Sequence, residues 1–252
     1  MSSFLQNHQR QPKLFVDLPS KGKWYTDSCL QDMQSTSVPV YGMNAMDEIL
    51  FKTPDALFTG RATAEVIHSC IPTILDPWEL VGYDIDFILI SMRISTYGDD
   101  MPVTTNCPKC STENQSRISL GKLLEGFDNY PLDFKFEEGG FEFNIRPITY
   151  KKTSEFSMQN YALQRELWQV QQIERTEANA LDLEKKLQDV YARTSLLNLE
   201  LAVSHIESIA KDGEIESDLE EVSNFIKTSD MAFYAKLKDK IFELTQKWNF
   251  PL

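Results

Sequence analysis

The chain has 252 residues, a formal net charge of −13, 42% apolar and 11% aromatic residues, and four cysteines. That apolar content excludes a disordered chain, and the charge opposes a general nucleic-acid binder, which must neutralise phosphates. Four cysteines are too few for a disulfide scaffold. No run reaches the roughly 18 apolar residues of a membrane span. The start, MSSFLQNHQRQPK, lacks the apolar core of a secretory signal. These features predict a soluble, acidic, intracellular globular protein.

Glycine and proline are unevenly spread. Residues 1–150 hold 9 of the 10 Gly, 10 of the 11 Pro and all four Cys. Both residues punctuate turns and are costly inside helices. The expected fold class is therefore α+β. A polar, flexible tail (1–14) precedes a mixed domain (15–150) with a central buried helix and two β-hairpins. An all-α region (151–252) follows.

In chain order, LFVDLPSKGKWYTD reads as an extended apolar stretch ending in a turn at Leu18–Gly22. Residues 26–36 read as loop, and Val38–Met43 as a short strand. Asn44 can cap a helix with Asp47 and Glu48 in its first turn, and Pro54 can open another. Ala62–Ile71 reads as helix. Pro77–Thr96 carries Leu80, Tyr83, Phe87, Ile90 and Ile94 at three- and four-residue spacing, the pattern of the buried central helix. Asp84, Asp86 and Arg93 interrupt it, as a solvated edge or a paired structural site.

Two hairpins are expected next. One flanks CPKCSTEN, with strands at Val103–Asn106 and Gln115–Leu120. The other runs Phe134, Phe136, EEGG, Phe141, Phe143, Ile145, with period-two alternation around Gly139-Gly140. SLGKLLEGF between them reads as a short helix. From Thr153 the pattern turns to long helices. Phe156, Leu163, Leu167, Val170 and Ile173 form one stripe, and Leu181, Leu187, Val190, Tyr191, Leu197 and Leu201 continue it. Gly213 reads as the end of that helix near Ile209. Asp218–Lys227 and Asp230–Trp248 read as two further helices, the last capped by Ser229 or Asp230.

The compact metal-type motif is Cys107-Pro108-Lys109-Cys110, a turn that resembles one knuckle of a zinc ribbon. Two thiolates at this spacing can hold one side of a tetrahedral Zn²⁺. His68 and Cys70 are the further donors for a four-ligand set, although positions i and i+2 of a helix point to different faces. The alternative is a pair of reduced thiols, or a metal-free ribbon remnant. A deaminase signature is excluded because His68-Ser69-Cys70 lacks the general-acid glutamate of H-x-E. A thioredoxin-type site would need an apolar helix after CxxC. There is no G-x-S-x-G, no H-E-x-x-H and no Gly-rich phosphate loop, and Asp99-Asp100 and Glu137-Glu138 read as solvated turn charges. An enzyme is not expected.

Four phrases in order, LPSKGKWY (18–25), VPVYGMNAMDEIL (38–50), TPDALFTGRATAEVIHSCI (53–71) and DIDFILISMRISTYGDDMPVTTNCPKC (84–110), resemble the baseplate hub assembly proteins of T4-like contractile-tailed bacteriophages. The likeness covers about residues 15–148. The chain departs from a full zinc ribbon in having Ser111 after the knuckle and no second cysteine pair. The resemblance implies a non-enzymatic assembly factor, chaperone or minor hub subunit in the cytoplasm of the infected bacterium. Its partners would be other hub proteins, with no nucleic acid and no membrane span, and homo-oligomers are compatible with it. Phe156, Leu163, Leu167, Trp168, Val170 and Ile173 are the expected partner-binding stripe, with intramolecular packing as the competing use. Tyr97-Gly98 and the hairpin after it are a second candidate surface. The competing function is a zinc-ribbon-like adaptor in transcription or nucleic-acid processing, which the charge opposes.

Overall fold

The computed structural model describes residues 10–32, 37–127 and 131–248. The expected tail up to residue 9, with His8, and residues 33–36 of the expected loop lie outside them. The described chain forms two compact units, one ending at Leu132 and the other running from Asp133 to Trp248. Each is α+β.

The first unit opens with β1 (Pro12–Asp17), antiparallel to β2 (Ser37–Tyr41). The expected tail boundary at residue 14 is thus too late: Pro12 pairs with Tyr41, and Arg10 is already held by hydrogen bonds. Three short helices follow, α1 (Ala45–Phe51), α2 (Pro54–Phe58) and α3 (Arg61–Cys70). Asn44 caps α1 by accepting from the N–H groups of Met46 and Asp47, and Asp47 accepts in return from the Asn44 N–H. This reciprocal box satisfies donors that a helix start leaves open. After a 3₁₀ turn (Pro77–Glu79), α4 (Gly82–Tyr97) is the central helix; Tyr83, Ile85, Phe87, Ile88 and Met92 are buried around it. Gly42 lets β2 end against its last turn, because a Cβ there would stand 3.0 Å from the Ser95 carbonyl oxygen. The unit continues with the hairpin β3 (Asp100–Asn106) and β4 (Glu113–Ser119), then α5 (Leu120–Glu125), capped by Ser119.

The second unit holds a four-stranded antiparallel sheet in the order β5-β6-β7-β8. β5 (Phe134–Glu138) and β6 (Phe141–Ile145) are the expected hairpin, turning on Gly139 (φ 61°) and Gly140 (φ 79°). The sequence places this hairpin with the first part; the ladder from β6 to β7 joins it instead to the second unit. β7 (Ile206–Lys211) and β8 (Glu214–Glu216) correct the expectation of an all-α region and of a helix running to Ile209. The reason is local. Asp212 (φ 51°) and Gly213 (φ 88°) form a two-residue turn with Lys211 opposite Glu214, which is the conformation that Asp-Gly favours in hairpins.

Two long helices, α6 (Tyr150–Gln171) and α7 (Ala180–Ser204), form an antiparallel pair, and α8 (Leu219–Thr228) and α9 (Met231–Gln246) complete the unit. Phe141 packs on Phe225, and Phe143 meets Phe233, so aromatic rings cement the sheet to α8 and α9. A Cβ at Gly139 would stand 2.7 Å from the Phe233 ring, on a backbone of positive φ. Gly139→Ala is therefore expected to lower stability by about 1–3 kcal/mol, through combined overpacking and backbone strain. Chemical denaturation checks this; an unchanged midpoint would contradict it.

Candidate functional site

Contacts from the Leu18–Tyr25 turn, Met43 and α1 meet on α4. At its first turn, the buried Asp84 carboxylate accepts the Ser20 N–H at 3.0 Å on one oxygen and the Tyr25 hydroxyl at 2.6 Å on the other. The Tyr25 oxygen in turn accepts the Val81 N–H at 3.1 Å. Burial pushes the Asp84 pKa up to about 6, against the downward pull of these hydrogen bonds. Burial first, then the Asp84 charge, raises the Tyr25 phenol well above its ordinary range. At the last turn, Met43 N–H donates to Thr96 Oγ1, Tyr97 donates to Glu48 at 2.6 Å, and the Arg93 guanidinium lies 4.5 Å from the Tyr97 ring centre. Arg10 ties Gly42, Asp47 and Ser69 together. These contacts are joints of the fold. Of the two readings of Asp84, the paired structural site is the observed one.

Asp99, expected as a solvated turn charge, is another joint. Its carboxylate accepts from the Gly121 N–H and the Ser119 hydroxyl, which hold its pKa below the usual range.

The four expected metal donors do not converge. Cys70 is buried, with Asp47 and Arg10 as neighbours of its sulfur, and His68 Nδ1 lies 2.9 Å from the Ile74 carbonyl oxygen. Among the described residues no group of three or more His, Cys, Asp or Glu is placed to hold a metal. Helix geometry is the cause: α3 commits Cys70 to the core and turns His68 toward the Ile74 carbonyl. Cys107 and Cys110 do share one tight loop. Cys107 N–H donates to the Thr112 carbonyl at 2.9 Å, Ser111 N–H donates to the Cys107 carbonyl at 2.8 Å, and Ser111 adopts φ 55°. The Cys110 thiol lies 3.2 Å from Thr112 Oγ1, and the hydroxyl and backbone of Thr112, followed by Cys107, lower its pKa.

The expected partner stripe divides. Phe156, Leu163 and Val170 recur every seven residues on α6 and are buried. Leu183, Val190 and Leu197 do the same on α7. Phe156, Leu163 and Leu197 form one cluster with Ile148 and Leu201, so this part of the stripe is the seam between the two helices. Leu167 is half-buried in that register. Trp168 (61% exposed) and Ile173 (46%) lie outside it. Leu181 and Tyr191, expected in the continuing stripe, are exposed too, and Leu183 and Thr194 stand nearer the seam in their place.

The two flanks of this helix pair differ. One carries the ion pairs Glu166–Arg193 (2.7 Å), Arg193–Asp189 (2.9 Å) and Lys186–Asp182 (2.8 Å). The other, by helical spacing from the seam, carries Tyr161, Trp168 and Tyr191 among Gln164, Gln171 and Gln188, with Glu184 the one charge that α6 and α7 place there, and Ser195 and Asn198 continue it into a groove facing α9. Three grooves open among the described residues of the second unit. One, of about 550 Å³, runs between the β7–β8 hairpin and α8 over Phe141, Ile209 and Phe225. Another, of about 350 Å³, lies between α7 and α9 beside Met231 and Phe242. The third, of about 370 Å³, lies between α6 and α7 on the ion-paired flank over Ala162 and Leu196.

Fold and surface define an α+β protein whose second unit pairs two long helices and leaves Tyr161, Trp168 and Tyr191 more than half exposed on one flank. The family model described as T4 bacteriophage base plate protein matches residues 42–252, and the chain belongs to that family. No curated protein and no solved structure matches it. Membership gives the chain a structural or assembly role in the phage baseplate, and with it contacts to other baseplate proteins. No described helix is long and apolar enough to cross a membrane.

Proposed function

We propose that the chain is a hub assembly protein of the baseplate. It acts in the cytoplasm of the infected bacterium as an assembly factor or minor hub subunit, by protein contacts and without a chemical step. The observation that supports this reading is the aromatic, nearly uncharged flank of the α6–α7 pair. Interface centres are depleted of charge and enriched in aromatic residues, and a chain of net charge −13 that leaves so little charge on one flank has a surface suited to docking. Deleting the gene is expected to stop hub formation, so that infected cells yield particles without tails. Infectious progeny from the deletion would refute the proposal. Composition of purified virions separates the two roles, since an assembly factor is absent from them and a subunit is present in fixed number.

A further inference from the structure

We propose that the Cys107–Cys110 loop is one half of a tetrahedral zinc site, completed by the same loop of a second copy of this chain. Both cysteines are free, Cys110 is exposed and Cys107 half-exposed, and one tight loop carries both. The loop holds them there through its two backbone hydrogen bonds, with Ser111 in the left-handed conformation. A closed structural zinc site takes four ligands. The described residues offer no third donor near this pair, so one chain supplies two.

Three features favour a second copy as the source of the others. From Asp100 to Ser119 no side chain is buried, so the loop and its strands are open to an approaching molecule. Among the described residues β3 and β4 form a sheet of two strands, which leaves an outer edge on each. A two-stranded hairpin without a buried face is marginal in water, and a cross-link at its tip offsets that. A two-fold axis through the tips brings identical loops together, the self-complementary arrangement of most dimers. Four thiols each release a proton as Zn²⁺ binds, leaving a site of net charge −2. Lys109, one from each loop, stands inside the motif and balances that charge.

The test uses the full chain, purified reduced and metal-free, and titrated with Co²⁺ alone. The expected result is thiolate-to-cobalt charge-transfer absorption that saturates at one ion per two chains, with monomer converting to dimer in sedimentation over the same range. Cys110→Ser abolishes both, and its unchanged far-UV circular dichroism shows that the fold survives. Cys29→Ser and Cys70→Ser, at buried positions outside the loop, leave the cobalt signal in place. Absence of the charge-transfer band overturns the proposal. So does saturation at one ion per chain without a change in mass, which would mean that solvent completes the coordination.

Discussion

Asp84→Ala is expected to destabilise the full chain by about 3 kcal/mol at pH 7, because it leaves two buried donors without acceptors, each worth roughly 1–3 kcal/mol. Those donors are the Ser20 N–H and the Tyr25 hydroxyl, which converge on the two oxygens of a fully buried carboxylate. Two acceptors at one position are what a carboxylate provides. Asparagine has one oxygen and turns an N–H₂ toward the other donor, so Asp84→Asn restores part of the loss only. The damage spreads because Tyr25 also receives the Val81 N–H at the start of α4. A single residue thus holds the Leu18–Tyr25 turn against the central helix. Denaturation midpoints of the two variants check the order: wild type, then Asn, then Ala. An alanine variant as stable as wild type would remove Asp84 from the account of the fold.

The same group makes stability depend on pH, with a definite sign. Its pKa in the folded state is about 6, raised from an ordinary value of 3.8 chiefly by burial. An acid whose folded pKa is raised binds its proton more tightly in the folded chain, so its contribution is fully present below about pH 4 and is lost as pH rises through 6. The shift corresponds to about 3 kcal/mol between those limits. The measurement is the difference between wild type and Asp84→Asn, which cancels the other carboxylates. It is expected to move against wild type from pH 4 to 6 and to be flat above about 7. A difference that stays constant across the window would contradict the buried, titrating carboxylate.

Local signals in the sequence carried the helix starts and the turns. Asn44, Pro54, Asp218 and Asp230 all stand where the structure begins a helix, since a cap needs only its own next few residues. Gly139-Gly140 turned as expected for the same reason. The β7–β8 hairpin is hidden in the sequence because Ile206 and Ile209 keep the three-residue spacing of the helix before them. The Asp212-Gly213 pair is the local signal for the turn, and Gly213 taken alone reads equally as a helix stop. Asp84 could be placed on the central helix but not paired with Tyr25, because that partner lies 59 residues away and nothing local marks it. The partner stripe failed differently. Apolar residues at three- and four-residue spacing include both the seam and its flanks. Only the strict seven-residue recurrence of Phe156, Leu163 and Val170, matched by Leu183, Val190 and Leu197, separates what is buried from what is shown.

That separation yields the prediction of largest functional effect. Leu163→Ala removes a buried group of the seam and is expected to cost about 2–3 kcal/mol of stability. Trp168→Ser and Tyr191→Ser remove exposed rings from the same helix pair, 61% and 54% exposed, and surface changes of this kind alter stability by no more than about 0.5 kcal/mol. If the aromatic flank is the docking face for another baseplate protein, truncating a central ring costs about 2 kcal/mol or more of binding, a loss of roughly thirtyfold in affinity for each. The double variant is therefore expected to unfold at the wild-type midpoint yet fail to restore hub formation when supplied to cells infected by a phage lacking the gene. Leu163→Ala is expected to do the reverse at permissive temperature: a lowered midpoint, with hub formation retained where the chain stays folded. A double variant that restores normal tails would remove the flank from the docking surface. The charged flank would then be next to test, starting with Arg193, which bridges Glu166 and Asp189.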